Sequence, residues 1–255
     1  MRYFMSFWLG FALAAGLWLA SGWRGDGAHA DFTDLAGVED CMAHYHLKPE
    51  PRRLPQAIET LARAGALEGE ARLKPVAAFV AALIGEDDAT LASLSEVIAE
   101  ARPAKQRLLA QAIAKSGRPQ WRRLLTELKR AVPARALEIE TLLAAPEAPL
   151  TLAAAFDAAD VVVAMVFAHF MATGSEAAFR RILAALAGHF AAGDPAAARG
   201  AEKAKVTLSS RVGDDPRLLE LVHREADARE ETLARLLRGV LVAAAGQARG
   251  RPSGN

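Results

Sequence analysis

The sequence predicts an all-α protein, and three observations carry that reading. Alanine supplies 58 of the 255 residues and leucine dominates the larger apolar positions. These two types head the helix-propensity scale, whereas β-branched residues are thinly scattered. Apolar residues recur at helical spacing, and no stretch alternates apolar and polar as a half-buried strand would. Prolines and glycines, finally, punctuate the chain at intervals that suit short helices.

In chain order, Met1-Arg2 precede an uncharged apolar run over residues 3–20, a glycine-rich polar patch and Ala28-His29-Ala30. A basic start, an apolar middle and a small-x-small site make residues 1–30 a secretory signal, with cleavage expected after Ala30. Residues 3–20 also approach the ~20 residues of a span, so the alternative is an uncleaved membrane anchor. Either way the body is expected outside the cytoplasm, periplasmic or secreted. Residues 31–53, with Pro49 and Pro51, read as a polar, loop-like lead.

The helical domain is expected over residues 54–246. Trp121, Leu124, Leu125 and Leu128 form one helical stripe, as do Phe179, Ile182, Leu183, Leu186 and Phe190. Leu219, Val222, Ala226, Leu233, Leu236, Val240 and Leu241 form a third, on a long last helix. Pro75, Pro103, Pro119, Pro133 and Pro149 sit where helices should start, because proline's missing N–H costs nothing in a first turn. Asp194-Pro195 and Asp215-Pro216 add capping carboxylates. Gly85, Gly117, Gly174, Gly193 and Gly213 fall where left-handed C-caps are expected.

These signals predict helices near 55–65, 75–85, 89–101, 104–116, 119–131, 133–145, 150–172, 175–191, 195–211 and 215–246. The even spacing of starts from Pro103 to Pro149 suggests short antiparallel hairpins, solenoid-like or in an irregular bundle. The apolar run within 150–173 contains Asp157 and Asp160, each costing about 2.5–3.5 kcal/mol at a bilayer centre, so it reads as a buried core helix. Residues 247–255 read as a disordered tail.

Composition narrows the function. A net charge of +1 argues against a nucleic-acid-binding protein, and export separates the body from nucleic acid. A single cysteine, Cys41, rules out an intramolecular disulfide. It opens Cys41-Met42-Ala43-His44-Tyr45-His46, where a thiolate and two imidazoles would suit zinc or copper. The spacing lacks the second cysteine of a zinc knuckle, and the alternative is an incidental thiol beside surface imidazoles.

A second cluster is electrostatic. Ten basic residues stand between Arg102 and Arg135, opposed by one acid, Glu127, while the preceding segment carries Glu86, Asp87, Asp88, Glu96 and Glu100. Within the block, Arg118, Arg122, Arg123 and Arg130 are candidates for a basic surface that meets a protein or peptide of the envelope, or an anionic membrane surface. The plainer alternative places the cations on solvated helix faces, partly neutralised by neighbouring acidic helices. No phosphate loop, dinucleotide fingerprint or hydrolase nucleophile turn occurs, so no catalytic residue is expected. An enzyme of unrecognised type is the remaining alternative to a binding or scaffolding module.

Lys74-Pro75-Val76-Ala77-Ala78-Phe79-Val80 and Val166-Phe167-Ala168-His169-Phe170-Met171-Ala172-Thr173-Gly174 resemble segments of uncharacterised exported helical proteins of bacteria. The position matching Ala168 or His169 is usually aromatic there. The resemblance implies an all-helical exported protein, and it brings no activity or site residues. Thr173-Gly174-Ser175 itself reads as a helix C-cap followed by an N-cap.

Overall fold

The computed structural model describes residues 32, 34–96, 98–145, 160–188, 194–228 and 231–250. Among these residues the secondary structure is helical, without strands. The first half runs α1 (Leu35–Ala43), α2 (Leu54–Arg63), α3 (Glu70–Glu86), α4 (Asp88–Ser95), α5 (Pro103–Lys115), α6 (Trp121–Ala131) and α7 (Ala136–Ala144). It continues with α8 (Asp160–Thr173), α9 (Glu176–Ala187), α10 (Pro195–Arg211), α11 (Pro216–Ala228) and α12 (Glu231–Gly250). Single 3-10 turns, Pro51–Arg53 and Pro133–Arg135, lead into α2 and α7. The export segment, Pro149 and residues 251–255 lie outside the described residues.

Local chemistry explains most boundaries. Asp194 accepts from the backbone N–H groups of Ala196 and Ala197 at 2.9 and 3.1 Å, and Asp215 from that of Leu218 at 2.9 Å, each ahead of a proline in the first turn. Asp87 caps α4 through Ala89 and Thr90 in the same way. Gly117 and Gly174 take φ of +71° and +64°, the left-handed stops expected of them. Ser175 stands at the N-cap of α9, but its side chain makes no capping bond.

Several elements depart from the sequence expectation. The lead segment contains α1, started by Asp34, whose carboxylate accepts from Gly37 N–H at 2.7 Å. Phe32, Val38, Met42 and Tyr45 are buried there, so the lead belongs to the core. Pro75 does not start α3; the helix begins at Glu70, and Pro75 sits inside it. The expected last helix is described as α11 and α12 on either side of residues 229–230, and α12 extends through Gly250. Gly85 is no C-cap but lies within α3.

The core is organised around α3. Leu73 and every residue from Val76 to Ile84 are buried, and α3 packs against α5 on one side and α8 on another. Four alanines in that run let neighbouring backbones approach. The expected core helix α8 buries Val163, Val166, Phe167, Phe170 and Met171, and it also touches α1, α9 and α10. No helix among the described residues is long and apolar enough to cross a membrane. Sequence neighbours pair as well: α5 with α6, α6 with α7, and α11 with α12.

The end of α3 meets the α5–α6 turn at one tight point. A Cβ on Gly85 would come within 2.8 Å of the Ser116 carbonyl oxygen. Gly85→Ala gains helix propensity of about 1 kcal/mol but drives a methyl group into backbone, an overpacking cost of about 1–3 kcal/mol. A net loss of up to about 2 kcal/mol is expected in urea unfolding. A stabilised variant would show that the α5 end yields freely.

Candidate functional site

Two polar regions emerge from this fold, one buried and one exposed. The buried one joins the turn after α1 to the α8–α9 and α10–α11 corners. His46 is held there by its backbone, whose N–H donates to the Met171 carbonyl at 3.0 Å, and its Nδ1 lies 3.2 Å from the same oxygen. Its Nε2 stands 3.2 Å from Asp215 Oδ2, with side chains only 3% and 2% exposed. The two atoms approach closely without forming an aligned hydrogen bond. Phe170 lies against the imidazole, ring centroids 5.1 Å apart, and a Cβ on Gly174 would reach within 3.1 Å of its Cδ2.

Further charges surround this pair. Glu39, buried on α1, pairs with Arg72 of α3, and burial still pushes its carboxyl above the usual carboxylate range. Arg211, at the end of α10, is disfavoured as a cation by burial, while Asp214, Asp40, Glu39 and Asp215 oppose that effect. His44 stays local, with Nδ1 at 3.0 Å from the Asp40 carbonyl oxygen and 3.4 Å from its Oδ1. The cluster links segments remote in sequence, and its partners are internal.

For the soft-ligand candidates this has direct consequences. Cys41 is half-buried on α1, and burial with nearby Glu50 and Asp40 pushes its thiol up to about 11. Metal binding and thiol exchange need the thiolate, so this environment works against both. His46 turns its ring to Met171 and Asp215, and His44 turns to Asp40. Among the described residues no three His, Cys, Asp or Glu side chains form a group that could hold a metal ion.

His169 lies half-buried on α8, and burial holds its imidazole below the usual histidine value of 6.5. The unfolded chain therefore binds the proton more readily. Stability falls as pH drops through 6.5 toward the lowered value in the folded protein. In melts between pH 7 and pH 5, wild type should lose more stability than His169→Gln. Equal losses would show that His169 charges freely in the fold.

The exposed region comes from the basic block. Several of its cations turn to nearby acids: Arg102 to Glu59 at 3.1 Å, Arg107 to Glu70 and to Glu138 at 3.5 Å, Lys129 to Glu140, and Arg135 to Glu138 at 3.3 Å. Arg118 drops out of the surface set. Its side chain is 8% exposed, Nε donates to the Ile84 carbonyl, and a terminal nitrogen pairs with Asp88. It fastens the α5–α6 turn to the end of α3.

Arg122, Arg123 and Arg130 remain on the solvent side of α6, whose other face buries Trp121, Leu125 and Leu128. Arg123 and Arg130 lie two turns apart along one side of the helix. The Arg122 guanidinium is seated 4.3 Å over the buried Trp121 ring, which fixes its position. Arg123 reaches Glu127 at 3.5 Å.

No known protein family, curated protein or solved structure matches the chain. The site therefore has to be read from its own chemistry. Periodicity located the α6 stripe and its basic face; the inward turn of Arg118 had no signal in the local sequence. The His46–Asp215 contact was missed for the same reason, although each residue stood out alone.

Proposed function

We propose that this protein is an exported, non-catalytic helical module of the cell envelope, whose α6 face binds an anionic partner. The observation that supports this is the exposed arginine set Arg122, Arg123 and Arg130, on a helix whose opposite face is anchored in the core. Exposed guanidinium groups on a fixed helix face offer charge complementarity to an anionic surface. The N-terminal apolar run and its small-x-small site support a location in the envelope, either released or tethered through residues 3–20. The resemblance to exported helical proteins of bacteria points to the same compartment.

The test is charge reversal. Arg122→Glu, Arg123→Glu and Arg130→Glu together should abolish capture of the species that wild type retains from envelope extract at low salt. The melting temperature should change little, because all three side chains face solvent. Identical retention by wild type and variant would overturn the reading.

A further inference from the structure

We infer that the turn after α1 is a pH-operated latch, closed by one proton held between His46 Nε2 and Asp215 Oδ2. The Met171 carbonyl can only accept, so Nδ1 must carry a proton to bond it across 3.2 Å. In a neutral ring, Nε2 is then a bare lone pair facing a carboxylate oxygen 3.2 Å away. Both atoms are closed off from water, and neither has a hydrogen-bond partner elsewhere. Facing lone pairs in a buried site are costly, and one proton between them removes the conflict whichever atom carries it. The ring nitrogens are thereby committed to protein oxygens, which leaves neither for a metal.

The surroundings bear on that proton from every side. The Met171 carbonyl belongs to the last turn of α8, the negative end of a helix, where a cationic imidazole is stabilised. Glu39 and Asp40 of α1 and Asp214 of the α10–α11 corner favour the proton, while Arg211, which ends α10, opposes it. Arg72 of α3 is taken by Glu39, and His44 stays with Asp40. Phe170 of α8 and Gly174 at the α8–α9 corner pack against the ring and bring no charge.

Above about pH 6.5 an unfolded histidine is neutral and an unfolded aspartate ionised, so the unfolded chain lacks this proton. The folded protein binds one more, and its stability falls as pH rises. His169 acts in the opposite sense and on the acid side of that value. Loss of the proton sets the lone pairs against each other and frees the turn from α11. The Phe32 carbonyl, bonded by Thr60, and the Glu39–Arg72 pair keep α1 itself docked.

Urea unfolding of the full chain between pH 6.5 and pH 8 tests the proton, in a range below the ordinary thiol value of 9.0 for Cys41. Asp215→Asn keeps an oxygen for the cap and offers Nε2 an amide N–H, so it needs no extra proton. Over this range the unfolding constant of wild type should rise about 10-fold more than that of Asp215→Asn. Equal pH dependence in the two proteins overturns the latch. Nitrogen-15 NMR of the wild-type His46 ring at pH 8 reads the proton without a variant, and an Nε2 signal of a bare, unbonded nitrogen overturns it too. Where that signal loses its proton at higher pH, exchange protection of the His46 amide, bonded to Met171, should fall. Unchanged protection across that step overturns release of the turn.

Discussion

Phe170→Ala is expected to destabilise the protein by about 3–5 kcal/mol, a large part of the roughly 5–15 kcal/mol that holds a domain folded. Phe170 has no solvent exposure and sits on α8, the helix that α1, α3, α9 and α10 share as a packing surface. Its ring lies 6.3 Å from Phe179 of α9 and 5.1 Å from the His46 imidazole. Truncation therefore opens a cavity where three segments meet, and the rigid helices around it relax only in part. Urea unfolding should show a lowered midpoint with an unchanged slope. Leu137→Ala is the contrasting control, expected within about 0.5 kcal/mol of wild type because its side chain faces solvent. A Phe170→Ala loss below about 1 kcal/mol would mean that α8 is not tightly packed into the core.

The burial of α8 was legible because apolar residues occupy nearly every side of it. A helix buried on every side needs no stripe, only length and the exclusion of charge from its interior. Amphipathic α6 and α9 were legible from their stripes, and the caps at Asp194 and Asp215 from aspartate followed by proline. Helix α1 was not. Its large apolar residues are few, and it buries Glu39, a carboxylate whose Arg72 partner comes from α3. Periodicity counts apolar side chains, so a buried ion pair works against the signal it reads. Pro75 misled for a related reason: it marks a helix start only when the preceding residues are not already helical, and Gly69 had set the start earlier.

In α11 Val222 and Ala226 of the expected stripe are buried, and only Leu219 departs from it. Leu218 and Leu221 are buried, and Leu219 is on the exposed side. Ion pairs along α11 and α12 depend on tertiary packing in the same way. Glu231 and Arg235 do pair at 3.3 Å, but Arg224 reaches across to Glu176 of α9 at 3.1 Å, and Glu220 takes Arg217 at 2.9 Å. An i, i+4 contact is worth only about 0.2–0.5 kcal/mol, so a tertiary alternative easily displaces it. The same competition decides the basic block. Spacing supplied the arginines of α6, but whether each cation met solvent or a neighbour depended on the packing of α3, α4 and α7 around them.

Asp215→Ala should cost about 3–5 kcal/mol, because one carboxylate serves two structures at once. Oδ1 accepts from Leu218 N–H and starts α11, a cap worth about 0.5–2 kcal/mol. Oδ2 faces His46 Nε2 across 3.2 Å in a site nearly closed to water. Removing one member of a buried pair strands the other, so the loss exceeds the value of the cap alone. Asp215→Asn separates the two effects, since asparagine caps about as well but brings no charge to His46. Its cost should fall between wild type and Asp215→Ala. A double-mutant cycle with His46→Ala isolates the contact, with a coupling of about 0.5–3 kcal/mol expected from urea unfolding. Additive losses would mean that the two side chains are neighbours without interaction. In that case the lead turn is held by its contacts with α8 and the α8–α9 corner, and faster amide exchange in Asp215→Ala should stay confined to the first turn of α11.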